Sequence, residues 1–146
     1  MKIHQLSLFL ENKPGQLTEP CRLLAQGNIN IRTLTLADTE EFGILRLIVS
    51  DWEKGARVLE EAGYVVNVTE VVAVEVPDRP GGLAELLAVF EETDINIEYM
   101  YAFTFGRGDT AVMIFRFDKP DAAIERLQSE GVNVVGSSEV YSGIGK

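Results

Sequence analysis

Two short loops carry the residue types that a zwitterionic small molecule needs. Asn12 to Leu17 reads Asn-Lys-Pro-Gly-Gln-Leu, and Asp78 to Leu83 reads Asp-Arg-Pro-Gly-Gly-Leu. Proline fixes its own φ and glycine permits a sharp turn, so backbone amides can point outward where a helix begins. Such amides, together with the helix dipole, favour a carboxylate. The two loops therefore predict anion sites.

Polar side chains beside the loops suit the rest of such a ligand. Asn12 can both donate and accept, so it can hold either the carboxylate or the amino group, and Asn30 has the same capacity. Asp78 only accepts when it is ionised, so it should prefer an ammonium group. The alternative is that Asn12 and Asp78 simply cap turns or helices, a common role for these residue types. The residues alone leave both interpretations open.

The pattern occurs twice at a constant spacing. Pro14 to Pro80 and Asn30 to Asn96 are both steps of 66 residues, so the segment between loop and asparagine has no insertion. A repeated unit of about 70 residues approaches the size of one small domain. We predict two modules, residues 1–69 and 70–146.

Hydrophobic periodicity predicts the order strand, helix, strand, strand, helix, strand in each copy. The predicted strands are Ile3–Leu10, Ile29–Ala37, Ile44–Val49, Tyr64–Val68, Val71–Val76, Ile95–Phe105, Ala111–Phe117 and Val132–Tyr141, and the predicted helices begin near Gln16, Trp52, Gly82 and Lys119. The unbroken β-formers from Val65 to Val76 predict strand, and no flexible linker, at the junction near Thr69 and Glu70.

This element order and the two loops, each followed by Ile-Asn-Ile, resemble the ACT domain. The resemblance implies an α+β fold: two ferredoxin-like βαββαβ modules with antiparallel sheets and the helices on one face. It also implies a regulatory role in which a free amino acid lies between two modules, held by the loop of one and the second-strand asparagine of the other. On that basis the candidate ligand-binding residues are Asn12, Gly15, Gln16, Leu17, Asn30, Asp78, Gly81, Gly82, Leu83 and Asn96. If the two copies pack side by side about a pseudo-twofold axis, the pockets combine Asn12 with Asn96 and Asp78 with Asn30, and the two pockets are chemically unequal.

Composition excludes several other classes of function. The 146 residues carry a net charge of −10, which repels nucleic acid, and no apolar run approaches the length of a membrane span. One cysteine and one histidine make neither a disulfide nor an ordinary transition-metal site, and Cys21 is expected to be a buried apolar residue. We therefore expect a cytoplasmic protein without metal, cofactor or catalytic residues; His4 is expected to be structural.

An aromatic row distinguishes the second copy from the first. Tyr99, Tyr101, Phe103 and Phe105 alternate along one predicted strand, so they share one face of the sheet. That face is expected to pack against the other module, a second subunit or a ligand. The Arg-Gly-Asp triplet that begins at Arg107 fits a hairpin turn better than an adhesion motif.

Three hypotheses follow. The leading one is a non-catalytic amino-acid-binding regulatory protein, expected to be a homodimer, that passes ligand occupancy to a separate metabolic enzyme. The second is a regulatory or structural subunit that docks on such an enzyme and binds no small molecule. The third is a small isomerase or lyase that works through carboxylates.

Overall fold

A computed structural model describes residues 1–38, 41–104 and 106–143 of the chain. The elements are β1 (Ile3–Glu11), α1 (Thr18–Gln26), β2 (Ile31–Asp38), β3 (Phe42–Val49), α2 (Trp52–Glu61), β4 (Asn67–Pro77), α3 (Gly82–Ala88), β5 (Ile97–Ala102), β6 (Thr110–Phe117), α4 (Pro120–Ser129) and α5 (Ser137–Ser142). Two compact units divide these elements: His4–Thr69, here the first module, and Met1–Ile3 with Glu70 onward, the second module. The predicted fold class, α+β with ferredoxin-like modules, is confirmed.

The first module places its helices on one face of an antiparallel sheet. Strands lie in the order β2-β3-β1, with Leu8 opposite Leu45 and Leu36 opposite Leu45 on the two sides of β3. Alternate residues of β1 and β3 point to one face because side chains alternate along a strand. They form a core with α1 and α2, made of Leu6, Leu8, Leu10, Leu45, Leu47 and Val49 from the strands and Leu24, Ala56 and Leu59 from the helices.

The second module repeats this plan with larger side chains. Its strands lie in the order β4-β6-β5, all antiparallel. Phe117 is fully buried, and its ring centroid lies 5.1 Å from that of Phe90 and 5.5 Å from that of Phe115. Leu127 of α4 belongs to the same core. Aromatic pairs at these distances stabilise a core beyond the area that they bury.

The predicted strand Val132–Tyr141 is wrong for most of its length. Its first residues run beside β4, where Val134 forms an isolated bridge with Val74 and the Val135 amide donates to the Ala73 carbonyl at 2.9 Å. The chain then forms α5 instead of continuing as a strand, with Val140 fully buried. Valines favour strands locally, but burial of Val140 on a helix outweighs that preference.

The strand predicted at the junction is present. β4 runs without interruption from Asn67 to Pro77, through Thr69 and Glu70. It replaces the two separate strands that the sequence predicts on either side of this point. Residues 64–66, the start of the first of those strands, precede β4 and are not in a strand.

The aromatic row is only partly a strand. Tyr99 and Tyr101 lie in β5 and are half-buried, and Met100 between them packs against the core of the second module. Phe103 follows the strand, with its amide donating to the Val112 carbonyl at 2.8 Å. Phe105 lies outside the described residues. What covers this row stays a prediction.

The hairpin turn predicted at the Arg-Gly-Asp triplet is confirmed. Arg107 and Thr110 exchange two backbone hydrogen bonds of 2.8 Å, which leaves Gly108 and Asp109 as the two turn residues. The Arg107 side chain forms an ion pair with Glu75 at 2.9 Å and another with Glu139 of α5. The arginine of the triplet is therefore already engaged within the module.

The first module contains a stacked pair of aromatic rings, His4 and Trp52. The imidazole of His4 on β1 stacks on the indole of Trp52 at the start of α2, with centroids 4.2 Å apart and planes 17° apart. This contact accords with the structural role expected for His4. Cys21, expected to be buried, is half-buried on α1.

Candidate functional site

The first loop connects β1 to α1 through a left-handed glycine. Gly15 has φ of 85°, a conformation that costs L-residues with a side chain about 1–2 kcal/mol. The Asn12 amide donates to the Glu41 carbonyl at 2.9 Å, which holds the loop against the start of β3. Lys13 is exposed and forms an ion pair with Glu11 at 2.8 Å. The backbone of this loop is therefore fixed to the sheet at Asn12.

The second loop has the same form. Gly81 has φ of 83°, and the Asp78 amide donates to the Asp109 carbonyl at 2.9 Å, next to the start of β6. Arg79 makes two hydrogen bonds, of 3.0 and 2.8 Å, to the carboxylate of Glu85 in α3. Both loop cations are surface charges that pair with a neighbouring carboxylate. The duplicated sequence thus produces a duplicated loop.

Neither candidate polar side chain caps a helix. The residues before α1 and α3 are Leu17 and Gly81, and neither helix start has a side-chain cap. Within the described part of the chain, the side-chain amide of Asn12 and the side-chain carboxylate of Asp78 form no hydrogen bond or ion pair. Both residues are exposed. The structure therefore leaves both groups able to bind a ligand.

Not every candidate backbone donor is free. The Gln16 amide donates to the Lys13 carbonyl at 3.4 Å, and the Gly82 amide donates to the Arg79 carbonyl at 2.9 Å. These two equivalent bonds close the loop turns, so both amides are already used. Leu17 and Leu83 are each more than a third exposed and flank the loops with apolar surface.

Gly82 has no room for a side chain, whereas its counterpart in the first loop, Gln16, carries one. A Cβ at Gly82 would lie 2.0 Å from the Pro77 carbonyl oxygen, a distance that requires the backbone to move. We expect Gly82→Ala to lower the free energy of unfolding by about 1–3 kcal/mol, as overpacking commonly does. Gln16→Ala, the matched control, should change it by no more than about 0.5 kcal/mol. Chemical denaturation measures both; equal effects would contradict the close approach.

The second-strand asparagines lie at the other end of each sheet. The backbone amide of Asn30 donates to the Ser50 hydroxyl at 3.0 Å, just beyond the end of β3. The backbone amide of Asn12 instead donates to the carbonyl of Glu41, just before the start of β3. In the second module the Asn96 amide donates to the Asp118 carboxylate at 2.8 Å, just beyond the end of β6. An eight-residue strand is about 25 Å long. Asn12 and Asn30 therefore cannot contact one amino acid, and the same holds for Asp78 and Asn96.

Two openings border the first loop. One, of about 70 Å³, is lined by Leu10, Gln16, Leu17 and Leu36, among others, and the other, of about 330 Å³, is lined by Glu11, Asn12, Lys13, Glu41 and Phe42. Asn12 borders both. Sequence reasoning missed Leu36 and Phe42, because the pairing of β1 with β3, which brings the β2–β3 hairpin beside the loop, is a long-range feature.

Other kinds of site find no support in the described ranges. No three His, Cys, Asp or Glu side chains among the residues 1–38, 41–104 and 106–143 are grouped to hold a metal ion. In the same ranges, no helix is both long and apolar enough to span a membrane.

Comparison with known proteins gives matches over most of the chain. A family model described as ACT domain pair matches residues 1–142. The crystal structure of protein BT0572 from Bacteroides thetaiotaomicron is 40% identical, with a TM-score of 0.90 over 97% of this chain and 96% of that one. The ligand-free regulatory subunit of aspartate kinase from Thermus thermophilus is 16% identical, with a TM-score of 0.63 over 86% of this chain and 91% of that one, which is a likeness of fold alone.

One curated relative adds a partial match. The acetolactate synthase small subunit of Buchnera aphidicola subsp. Baizongia pistaciae (strain Bp) is 30% identical over 79 residues, which are 51% of this chain and 49% of that protein. The match therefore spans about half the length of each.

Proposed function

Because the chain belongs to the ACT domain pair family, we propose that it is a non-catalytic regulatory protein that binds a free amino acid. The observation that carries this proposal is the repeated loop. Each copy has a left-handed glycine at the same position and an exposed polar side chain, Asn12 or Asp78, that no described residue engages. Both side chains face solvent, so a ligand can reach them.

The proposed chemistry differs between the two loops. Asn12 offers both a donor and an acceptor, so it suits either end of a zwitterion. Asp78 offers only acceptors when ionised and suits the ammonium end. We propose that Asn30 and Asn96 complete the pockets. Each asparagine lies far from the loop of its own module, so neither contacts a ligand bound at that loop.

The regulated partner is proposed to be a separate metabolic enzyme. The match to the acetolactate synthase small subunit supports this, although it covers only about half of that protein. A cytoplasmic homodimer is part of the same proposal. The second candidate function is a subunit that docks without a small ligand; the exposed apolar side chains Leu36 and Phe42, 49% and 48% exposed, favour it.

A screen against the twenty common amino acids tests the proposal. A ligand that binds only the native state must raise the unfolding temperature. An amino acid has roughly 8–12 heavy atoms, and at about −0.5 to −0.8 kcal/mol per atom the binding free energy should lie between about −4 and −10 kcal/mol. Calorimetry should therefore find a dissociation constant between millimolar and sub-micromolar. No thermal shift and no heat with any amino acid at millimolar concentration would replace this proposal with the docking subunit.

A further inference from the structure

The second module contains a cavity that the amino-acid proposal does not use. It measures about 390 Å³ and lies between the end of β4, α3 and the segment after α4. Leu86, Val89 and Val132 give it apolar walls, and its lining also includes three glutamates: Glu75, Glu85 and Glu130. This volume is within the range of small-molecule sites, about 300–1,000 Å³.

The first module shows which side chain stands at the equivalent position. The Tyr64 amide donates to the Leu59 carbonyl at 3.1 Å, and the Val132 amide donates to the Leu127 carbonyl at 3.0 Å. Each residue follows a glycine with positive φ that ends the second helix of its module. Tyr64 and Val132 are therefore structural counterparts, and the second module has a valine where the first has a phenol ring.

A carboxylate occupies the equivalent position in both modules. In the first module it belongs to Glu19 in the first turn of α1, and burial, followed by the charge of this carboxylate, raises the pKa of Tyr64 above its ordinary value. Glu85 stands 66 residues after Glu19, in the first turn of α3. Arg79 binds both carboxylate oxygens of Glu85, yet each oxygen still has a lone pair to accept with.

From this difference between the copies we propose that the cavity binds a small molecule bearing a phenol ring. The ring takes the place that Tyr64 fills in the first module, between Leu86, Val89 and Val132, and its hydroxyl donates to Glu85. The volume exceeds that of one ring, so the natural ligand carries a substituent that extends toward solvent. This site goes beyond the proposed amino-acid function and uses none of its candidate residues.

Para-cresol, which is the tyrosine side chain as a free molecule, is the direct probe. Titration followed by protein-observed NMR should give a millimolar dissociation constant and perturb Val89 and Val132. Toluene, which lacks only the hydroxyl, should bind about tenfold or more weakly, because it cannot donate a hydrogen bond to the charged Glu85 carboxylate. Para-nitrophenol at a pH where it is ionised should also bind more weakly than para-cresol, because a phenolate would face the carboxylates.

Two variants locate the site. Val132→Tyr should restore the missing ring and weaken para-cresol binding at least about tenfold, whereas Val132→Ala, which keeps the cavity open, should retain it. Tyr64→Val should open an equivalent site beside Glu19 and raise the stoichiometry from one to two.

Unchanged binding in Val132→Tyr, or equal binding of toluene and para-cresol, would overturn the proposal, as would no binding at roughly ten millimolar para-cresol. If Val132→Tyr fails to fold, the toluene comparison and the Tyr64→Val stoichiometry still decide it. An amino-acid screen that fails leaves these outcomes unaffected.

Discussion

Asn12→Ala is expected to weaken binding of the amino acid identified by the thermal screen by about 10- to 150-fold at the first loop. Loss of a hydrogen bond to a charged ligand group costs about 1.5–3 kcal/mol. The loop should keep its form, because Asn12 is fixed through its backbone amide to Glu41, and alanine retains that amide. Calorimetry on the folded variant measures the change.

Asn30→Ala is the matched control. Asn30 has the same amide side chain but lies at the far end of β3, so its loss should leave the Asn12 pocket unaffected. If Asn96 completes that pocket, as the resemblance predicts, Asn96→Ala should impair it and combine non-additively with Asn12→Ala. Joint impairment of one site by Asn12→Ala and Asn30→Ala, with Asn96→Ala silent, would contradict this assignment.

Phe117→Ala is expected to lower the free energy of unfolding by about 3–5 kcal/mol, the usual cost of removing a large buried aromatic side chain. Phe117 is fully buried between Phe90 and Phe115, with ring centroids about 5 Å away on both sides, and neighbouring backbone cannot fill the space. Urea denaturation followed by circular dichroism measures the loss.

Phe9→Ala provides the comparison for that result. Phe9 is the same residue type on a strand but is 63% exposed, so its removal should change the free energy of unfolding by about 0.5 kcal/mol or less. A loss of less than about 1 kcal/mol for Phe117→Ala would mean that the core of the second module repacks freely.

Much of the fold could be predicted because the signals are local and repeated. Alternating apolar residues predicted β1, β3 and β6, and helical spacing predicted α1 and α2. The prediction of a strand at Val132–Tyr141 was wrong because its valines favour a strand locally, whereas α5 forms through burial of Val140. Burial depends on the rest of the module, which a local pattern does not contain.

The same distinction applies to the site. The Pro-Gly pairs correctly predicted loop turns, and Gly15 and Gly81 have positive φ. The close approach of Gly82 to Pro77 could not be predicted, because it depends on the path of the backbone across the loop. The wide separation of Asn12 and Asn30 follows from strand direction, and the pairing of β1 with β3 was needed to show it.

The stack of His4 on Trp52 gives the protein an internal spectroscopic probe. Trp52 is the only tryptophan in the chain and lies in the first module, so indole fluorescence reports the state of that module alone. Far-ultraviolet circular dichroism averages over every helix and strand. Comparing the two signals in Phe117→Ala therefore distinguishes selective melting of the second module, which leaves the indole emission unchanged, from a single transition in which both signals change at the same urea concentration.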